Sequence, residues 1–182
     1  QVREWLAEYD LYVSINLVAP QFENEYLSEI IGAALRKAGN LDPKHLKLEI
    51  TESEGMANPE MSITKMNDIM KLGVEIYIDD FGTGLSSLNY LKYLPASSLK
   101  IDKVFVDEIE NQPNELTFLE TIIALAKTRG KQTIVEGVST EKQVELLTSV
   151  GCERMQGFYF SRPVRPDQFR TYFTKGGKLP LS

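Results

Sequence analysis

Two residue types that carry much of enzyme chemistry are almost missing from this chain. Its 182 residues include one cysteine, Cys152, and one histidine, His45. A single cysteine excludes an internal disulfide and suits a reducing compartment, so a cytoplasmic domain is expected. Attachment of the full-length protein to a membrane is left open. Long apolar runs are also absent. The longest stretch without a charge, Leu11 to Phe22, has 12 residues, against about 20 apolar ones for a membrane-spanning helix. The opening Gln1-Val2-Arg3-Glu4-Trp5 carries no signal-peptide pattern. A basic excess is missing too: 20 Lys and Arg face 26 Asp and Glu, a net charge of −6. That excludes a nucleic-acid polymer as a nonspecific partner, which needs a basic footprint. An acidic enzyme still holds an anionic substrate when metal ions sit between them. With 42% apolar and 25% charged residues, the chain has an ordinary globular composition.

Short β-branched runs alternate with longer helical patterns. The runs are Leu11–Leu17, Leu46–Thr51, Val74–Asp79, Ser98–Ile101, Gln132–Glu136 and Arg154–Phe158. Helical periodicity covers 22–38, 59–72, 85–93, 114–129 and 140–149, and Gln1–Tyr9 reads as the end of a helix. Gly39, Gly73, Gly130 and Gly151 stand where helix C-caps belong. Strands alternating with helices predict an α/β fold with a parallel sheet. Six strand–helix units fall about 70 residues short of the ~250 typical of an eight-fold β/α barrel. The reading is therefore either a six-strand open sheet or a barrel with two strands absent from one end. The helical start at Gln1 favours an N-terminal deficit. Residues 173–182 read as a frayed tail after a domain over 1–172.

Polar residues gather at the C-terminal ends of the predicted strands. Asn16 ends the first, Glu49 sits near the end of the second, and Asp79 and Asp80 end the third. Lys100 and Asp102 bracket the end of the fourth, Glu136 ends the fifth, and Gln156 lies in the sixth. In parallel α/β folds this edge binds ligands. A carboxylate in a strand reading Val-Glu-Ile-Tyr-Ile is costly to bury unless paired or metal-bound. Asn16, Glu49, Asp79, Asp80 and Glu136 are an oxygen-only set, which suits Mg²⁺ or Mn²⁺ rather than Zn²⁺. Adjacent aspartates suit a two-metal site with one of them bridging.

The remaining features divide into local and chemical readings. His45 lies four residues before Glu49, so about 13 Å away along a strand, at the opposite rim; a structural role is expected. Cys152 also precedes its strand and reads as a packing residue. Without a usable His or Cys, a metal-activated water assisted by Lys100 or Glu136 is the remaining chemistry. Gly82-Thr83-Gly84-Leu85-Ser86-Ser87 is a weak glycine-rich motif, read as a mobile loop that closes over the metals, against the plainer reading in which Ser86 or Ser87 caps a helix.

Asn16 in SINL, ETE at 49–52 with its intervening Ile50, DDFGTG at 79–84, Ser86-Ser87-Leu88, Leu94-Pro95, LKID at 99–102, EGV at 136–138 and QGF at 156–158 appear in order. This pattern resembles the EAL-domain cyclic di-GMP phosphodiesterases over roughly residues 1–172. The resemblance implies a TIM-like (β/α)8 barrel of the EAL type, with the first two strands absent from this chain. It implies hydrolysis of cyclic di-GMP to linear pGpG with two Mg²⁺ or Mn²⁺ ions. Carried over residue by residue, Asn16, Glu49 and Asp79 resemble ligands of the first metal. Asp79 would bridge to a second ion held with Asp80 and Glu136, and Asp80 and Gln156 would also serve the substrate. Lys100 resembles the residue that orients the attacking water. Glu52 resembles the glutamate that organises the Gly82–Ser87 loop. The resemblance further implies fused GGDEF or PAS-type domains and a homodimer.

The family's Glu-Ala-Leu motif is absent and belongs upstream of Gln1. Ser139 stands where the family often has Glu, Leu85 where an aromatic is common, and Val18 where Ser is frequent. Two other classes are weighed. One is a catalytically inactive EAL-like receptor that binds cyclic di-GMP; intact ligands favour the enzyme, and the upstream Glu discriminates. The other is an unrelated divalent-metal barrel enzyme, which rests on fold analogy alone. Activity of this chain by itself is left open.

Overall fold

A computed structural model describes residues 2–6, 9–83 and 91–169. The chain opens with helix α1 (Val2–Leu6) and strand β1 (Val13–Asn16). Helices α2 (Ala19–Phe22) and α3 (Leu27–Lys37) lead to β2 (Leu46–Thr51). Helices α4 (Glu52–Ala57) and α5 (Pro59–Met70) precede β3 (Glu75–Phe81), which is followed by β4 (Ser98–Ile101). Helix α6 (Pro113–Thr128), strand β5 (Gln132–Val135) and helix α7 (Glu141–Ser149) complete the sequence of elements. Sequential strands are sheet neighbours in the order β1-β2-β3-β4-β5. The pairings of β1 with β2 and of β2 with β3 are parallel. Among the described residues no helix is long and apolar enough to cross a membrane.

Two compact units divide the chain. The first comprises residues 1–99 with 129–131, and the second 100–128 with 132–182. In the first unit the alternation of β2 and β3 separates two faces. Leu48, Ile50, Ile76 and Ile78 are fully buried, as are Met66 and Ile69 of α5. Burying such side chains contributes about 1.5–3 kcal/mol each. The core of the second unit is Ile101, Leu119, Ala126, Val135, Val138 and Leu147.

Several element ends follow from local chemistry. Asn58 Oδ1 accepts from the Met61 N–H, with Pro59 in the first turn of α5. Thr140 forms a capping box with Gln143 at the start of α7. Gly39, Gly73, Gly130 and Gly151 all take positive φ after their helices.

Three elements differ from expectation. The helix expected over 22–38 begins only at Leu27, after the separate α2 ends at Phe22. Asn24 Oδ1 accepts from the Tyr26 N–H, and the Lys65 ammonium takes the carbonyls of Phe22 and Glu23, so the chain turns there. Helix α4 is an element that the periodicity did not assign; its signal, the Thr51-to-Glu54 capping box, stands in the sequence. The sixth strand, Arg154–Phe158, shrinks to one parallel bridge between Val135 and Met155. Beyond it Phe160 N–H donates to the Gly157 carbonyl, and the backbone turns away. The helix expected over 85–93 lies mostly outside the described residues, as does the tail over 173–182.

One tertiary tie of the first unit runs through a lysine. Lys131 Nζ donates to the carbonyls of Leu94 and Ala96 at 2.6 and 2.9 Å. Partial burial lowers its pKa from the usual lysine value. Lys131→Met keeps the stem but leaves both carbonyls without this donor. It should lower unfolding stability by about 2 kcal/mol, read as a shift in the urea midpoint at constant slope.

Candidate functional site

The first unit brings the oxygen donors of β1, β2 and β3 onto one sheet face. The register pairs Asn16 with Glu49, Glu49 with Tyr77, and Thr51 with Asp79. Residues paired across parallel strands share a face, and so do residues two apart on one strand. Asn16, Glu49 and Asp79 therefore line one face near the C-terminal ends of their strands. Glu49 and Asp79 are half-buried, and Asn16 is exposed.

Asp79 Oδ1 accepts from the Asp80 N–H at 3.1 Å. Asp80 has φ of 53°, in the left-handed region that few residues other than glycine enter. Such a conformation costs of order 1–3 kcal/mol and persists where its surroundings enforce it. Here the Asp80 carbonyl accepts from the Thr83 N–H at 3.3 Å and from the Thr83 hydroxyl at 2.8 Å. The left-handed turn also breaks strand alternation, so Asp79 and Asp80 need not point to opposite faces.

Glu52 is the first residue of α4 and is 2% exposed. Its Oε2 accepts from the Gly82 N–H at 2.6 Å. The start of α4 is thereby tied to the segment that follows the Asp pair. Gly84, Leu85, Ser86 and Ser87 of the glycine-rich motif, and Leu88 after it, lie outside the described residues.

The second unit holds Lys100, Glu136 and Gln156. Lys100 Nζ and Glu136 Oε1 form an ion pair at 2.8 Å, with the lysine side chain 6% exposed. β4 and β5 are held at this end by Glu136 N–H donating to the Ile101 carbonyl. Gln156 is zipped along the same edge: its N–H donates to the Val135 carbonyl, and its carbonyl accepts from the Val138 N–H. Two glycines make this edge close. A Cβ on Gly157 would meet the Val138 carbonyl oxygen at 2.0 Å. A Cβ on Gly137, whose φ is +75°, would meet Lys103 Cβ at 2.2 Å. Asp102, which brackets the end of β4, is a local cap whose Oδ1 accepts from the Val104 N–H.

Neither His45 nor Cys152 stands with these groups. His45 closes the short helical turn before β2, and its Nδ1 lies 2.6 Å from the Leu11 carbonyl, so it donates there. Cys152 is buried, its thiol points at the Arg154 carbonyl, and burial raises its pKa. A thiol so placed is a poor nucleophile.

Among the described residues no three His, Cys, Asp or Glu side chains converge as a ready metal cage. The donors on the first unit's face are nevertheless all oxygen, from Asn16, Glu49 and Asp79, which is the chemistry a hard divalent cation takes. One charged residue of this face passed unnoticed in the sequence. Lys47 stands two residues before Glu49 and pairs with Glu75 at 2.8 Å. Its signal was the alternation itself, which puts Lys47 on the face of Glu49.

Comparison with known proteins bears on this arrangement directly. The family model described as "EAL domain" matches residues 1–163. Signaling protein YkoW of Bacillus subtilis is 43% identical over 173 residues, 94% of this chain and 22% of that protein. MucR of Pseudomonas aeruginosa, a bifunctional diguanylate cyclase/cyclic di-GMP phosphodiesterase, is 42% identical over 170 residues, 92% of this chain and 25% of that protein. The chain thus spans about a quarter of the length of these relatives. The solved MucR phosphodiesterase in complex with c-di-GMP superposes with a TM-score of 0.87 at 41% identity, covering 92% of this chain and 68% of that one. The EAL domain of Mycobacterium smegmatis DcpA does so with a TM-score of 0.90 at 35% identity, covering 98% and 80%. With the family pattern matched along most of its length and the α/β, TIM-like fold shared with solved members, this chain belongs to the EAL domain family.

Proposed function

We propose that this domain hydrolyses cyclic di-GMP to linear pGpG with two divalent cations, Mg²⁺ or Mn²⁺. The observation that carries the reading is the register that sets Asn16, Glu49 and Asp79 on one sheet face. It is supported by the named activity of MucR, a relative 42% identical to this chain. In this reading Asn16, Glu49 and Asp79 would hold the first cation, and Asp79, Asp80 and Glu136 the second. Bound there, such ions supply charge stabilisation at the phosphate and a water acidic enough to attack at neutral pH.

The chain's own residues would do the rest. The Lys100 ammonium carries three donors, so its ion pair with Glu136 is compatible with donation to the attacking water. Lys100 orients that water, and Glu136 in turn holds Lys100. Attack joins the water oxygen to phosphorus and breaks one P–O3′ bond, and the 3′ oxygen leaves carrying a proton. Gln156 and Asp80 serve the substrate. Glu52 organises the segment after Asp80 by holding the Gly82 amide. One domain over 1–172, a cytoplasmic setting, a homodimer and fused GGDEF or PAS-type domains belong to the same proposal.

Cyclic di-GMP should be linearised by the intact protein with Mg²⁺ or Mn²⁺ and left intact in excess chelator. Product in chelator would refute the metal mechanism; binding without product under either ion would leave a receptor instead. Asp79→Asn should abolish turnover, because in this reading one carboxylate would serve both cations, whereas Ser139→Glu, at a residue that would hold neither, should change kcat by less than about threefold. Equal effects of the two would reject the bridging role.

Glu52→Ala removes the buried acceptor of the Gly82 amide. It should cost about 1–3 kcal/mol of stability and speed hydrogen exchange at Gly82 by at least about tenfold, with Glu52→Gln milder. Unchanged exchange at that amide would refute the tie.

A further inference from the structure

The face that carries Asn16, Glu49 and Asp79 also carries a buried positive charge. Lys47 lies two residues before Glu49 on β2, so the two side chains share that face, roughly 7 Å apart along the strand. The Lys47 side chain is 6% exposed, while that of its register partner Glu75, 2.8 Å away, is 40% exposed. The ammonium also stands over the Tyr12 ring, 5.4 Å from its centroid. That ring meets the ring of Tyr77 edge to face at 6.2 Å. Tyr77 is the register partner of Glu49, is 1% exposed, and precedes Asp79 by two residues. Lys47 and Tyr77 are thus buried on the face of the oxygen donors, and the half-exposed Tyr12 ring touches both.

Burying an ammonium is costly unless it is paired, and here a carboxylate and an aromatic face together hold it. The pairing is lopsided. Water reaches Glu75 and screens its charge, whereas the Lys47 side chain is almost wholly buried. The pair therefore leaves net positive potential on the donor side.

We infer that Lys47 opposes cation binding at the Asn16–Glu49–Asp79 end, and that Glu75 sets how strongly. A divalent ion there would feel the buried ammonium through low-dielectric protein, which keeps the ion exchangeable rather than locked. The inference rests on the metal-site reading proposed above.

Calorimetric titration of the intact protein with Mn²⁺, without nucleotide, tests it. Lys47→Met removes the opposing charge and should tighten Mn²⁺ by roughly three- to tenfold. Glu75→Gln removes the carboxylate that offsets the ammonium and should weaken Mn²⁺ by a similar factor, and Lys47→Arg should stay near the wild type. Opposite signs for Lys47→Met and Glu75→Gln support the inference, since a merely structural pair would weaken binding in both. Shifts of the same sign, or none, overturn it. Should Lys47→Met fail to fold, Lys47→Gln, which removes the same charge and keeps a polar end beside Glu75, decides the sign in its place: tighter Mn²⁺ supports the inference and weaker or unchanged Mn²⁺ overturns it. A wild-type protein that takes up no Mn²⁺ would overturn the site reading together with the inference, an outcome distinct from same-sign shifts.

Discussion

Parallel pairing of β2 with β1 and β3 is the constraint on which the rest of the first unit depends. A slip of one residue would turn every side chain to the opposite face. Leu48, Ile50, Ile76 and Ile78 hold the register because their burial face is wholly apolar. With the register held, Glu49 must fall beside Asn16 and Tyr77, and Asp79 beside Thr51. The chemistry of one face is thus dictated by the hydrophobicity of the other. The cost of the polar face is met locally: Lys47 by Glu75, and the Asp79–Asp80 step by backbone amides and Thr83.

The strand–helix alternation was legible in the sequence because each central strand is a short, strongly apolar run and each long helix ends on a glycine. β2, β3, α5, α6 and α7 fall within a few residues of where periodicity puts them. What misled is physically specific. Residues 22–38 keep helical periodicity through the break at Asn24, since the turn is made by side-chain and lysine contacts that periodicity does not register. Arg154–Phe158 has strand-like composition, yet the chain bends at Gly157, where the Val138 backbone leaves no room for a side chain.

The donor residues were legible for a different reason: carboxylates at strand ends conflict with burial, and such conflicts collect at functional sites. The supporting contacts were not. That Glu52 reaches the Gly82 amide could be expected only from the family resemblance, because the two are 30 residues apart. The left-handed backbone at Asp80 carries no signal in a residue type that occupies strands and turns alike. Lys47 was not singled out in the sequence, and only the register reveals its partner across the strand.

The buried thiol of Cys152 has a practical side. Within this chain no other sulfhydryl exists, and this one is enclosed, with its deprotonation suppressed by burial. Maleimide reagents need an accessible thiolate. A cysteine introduced on an exposed helix position, such as Glu120 of α6, would therefore be the dominant attachment point for a fluorophore or spin label. The native chain already supplies the silent background that distance measurements by such probes require.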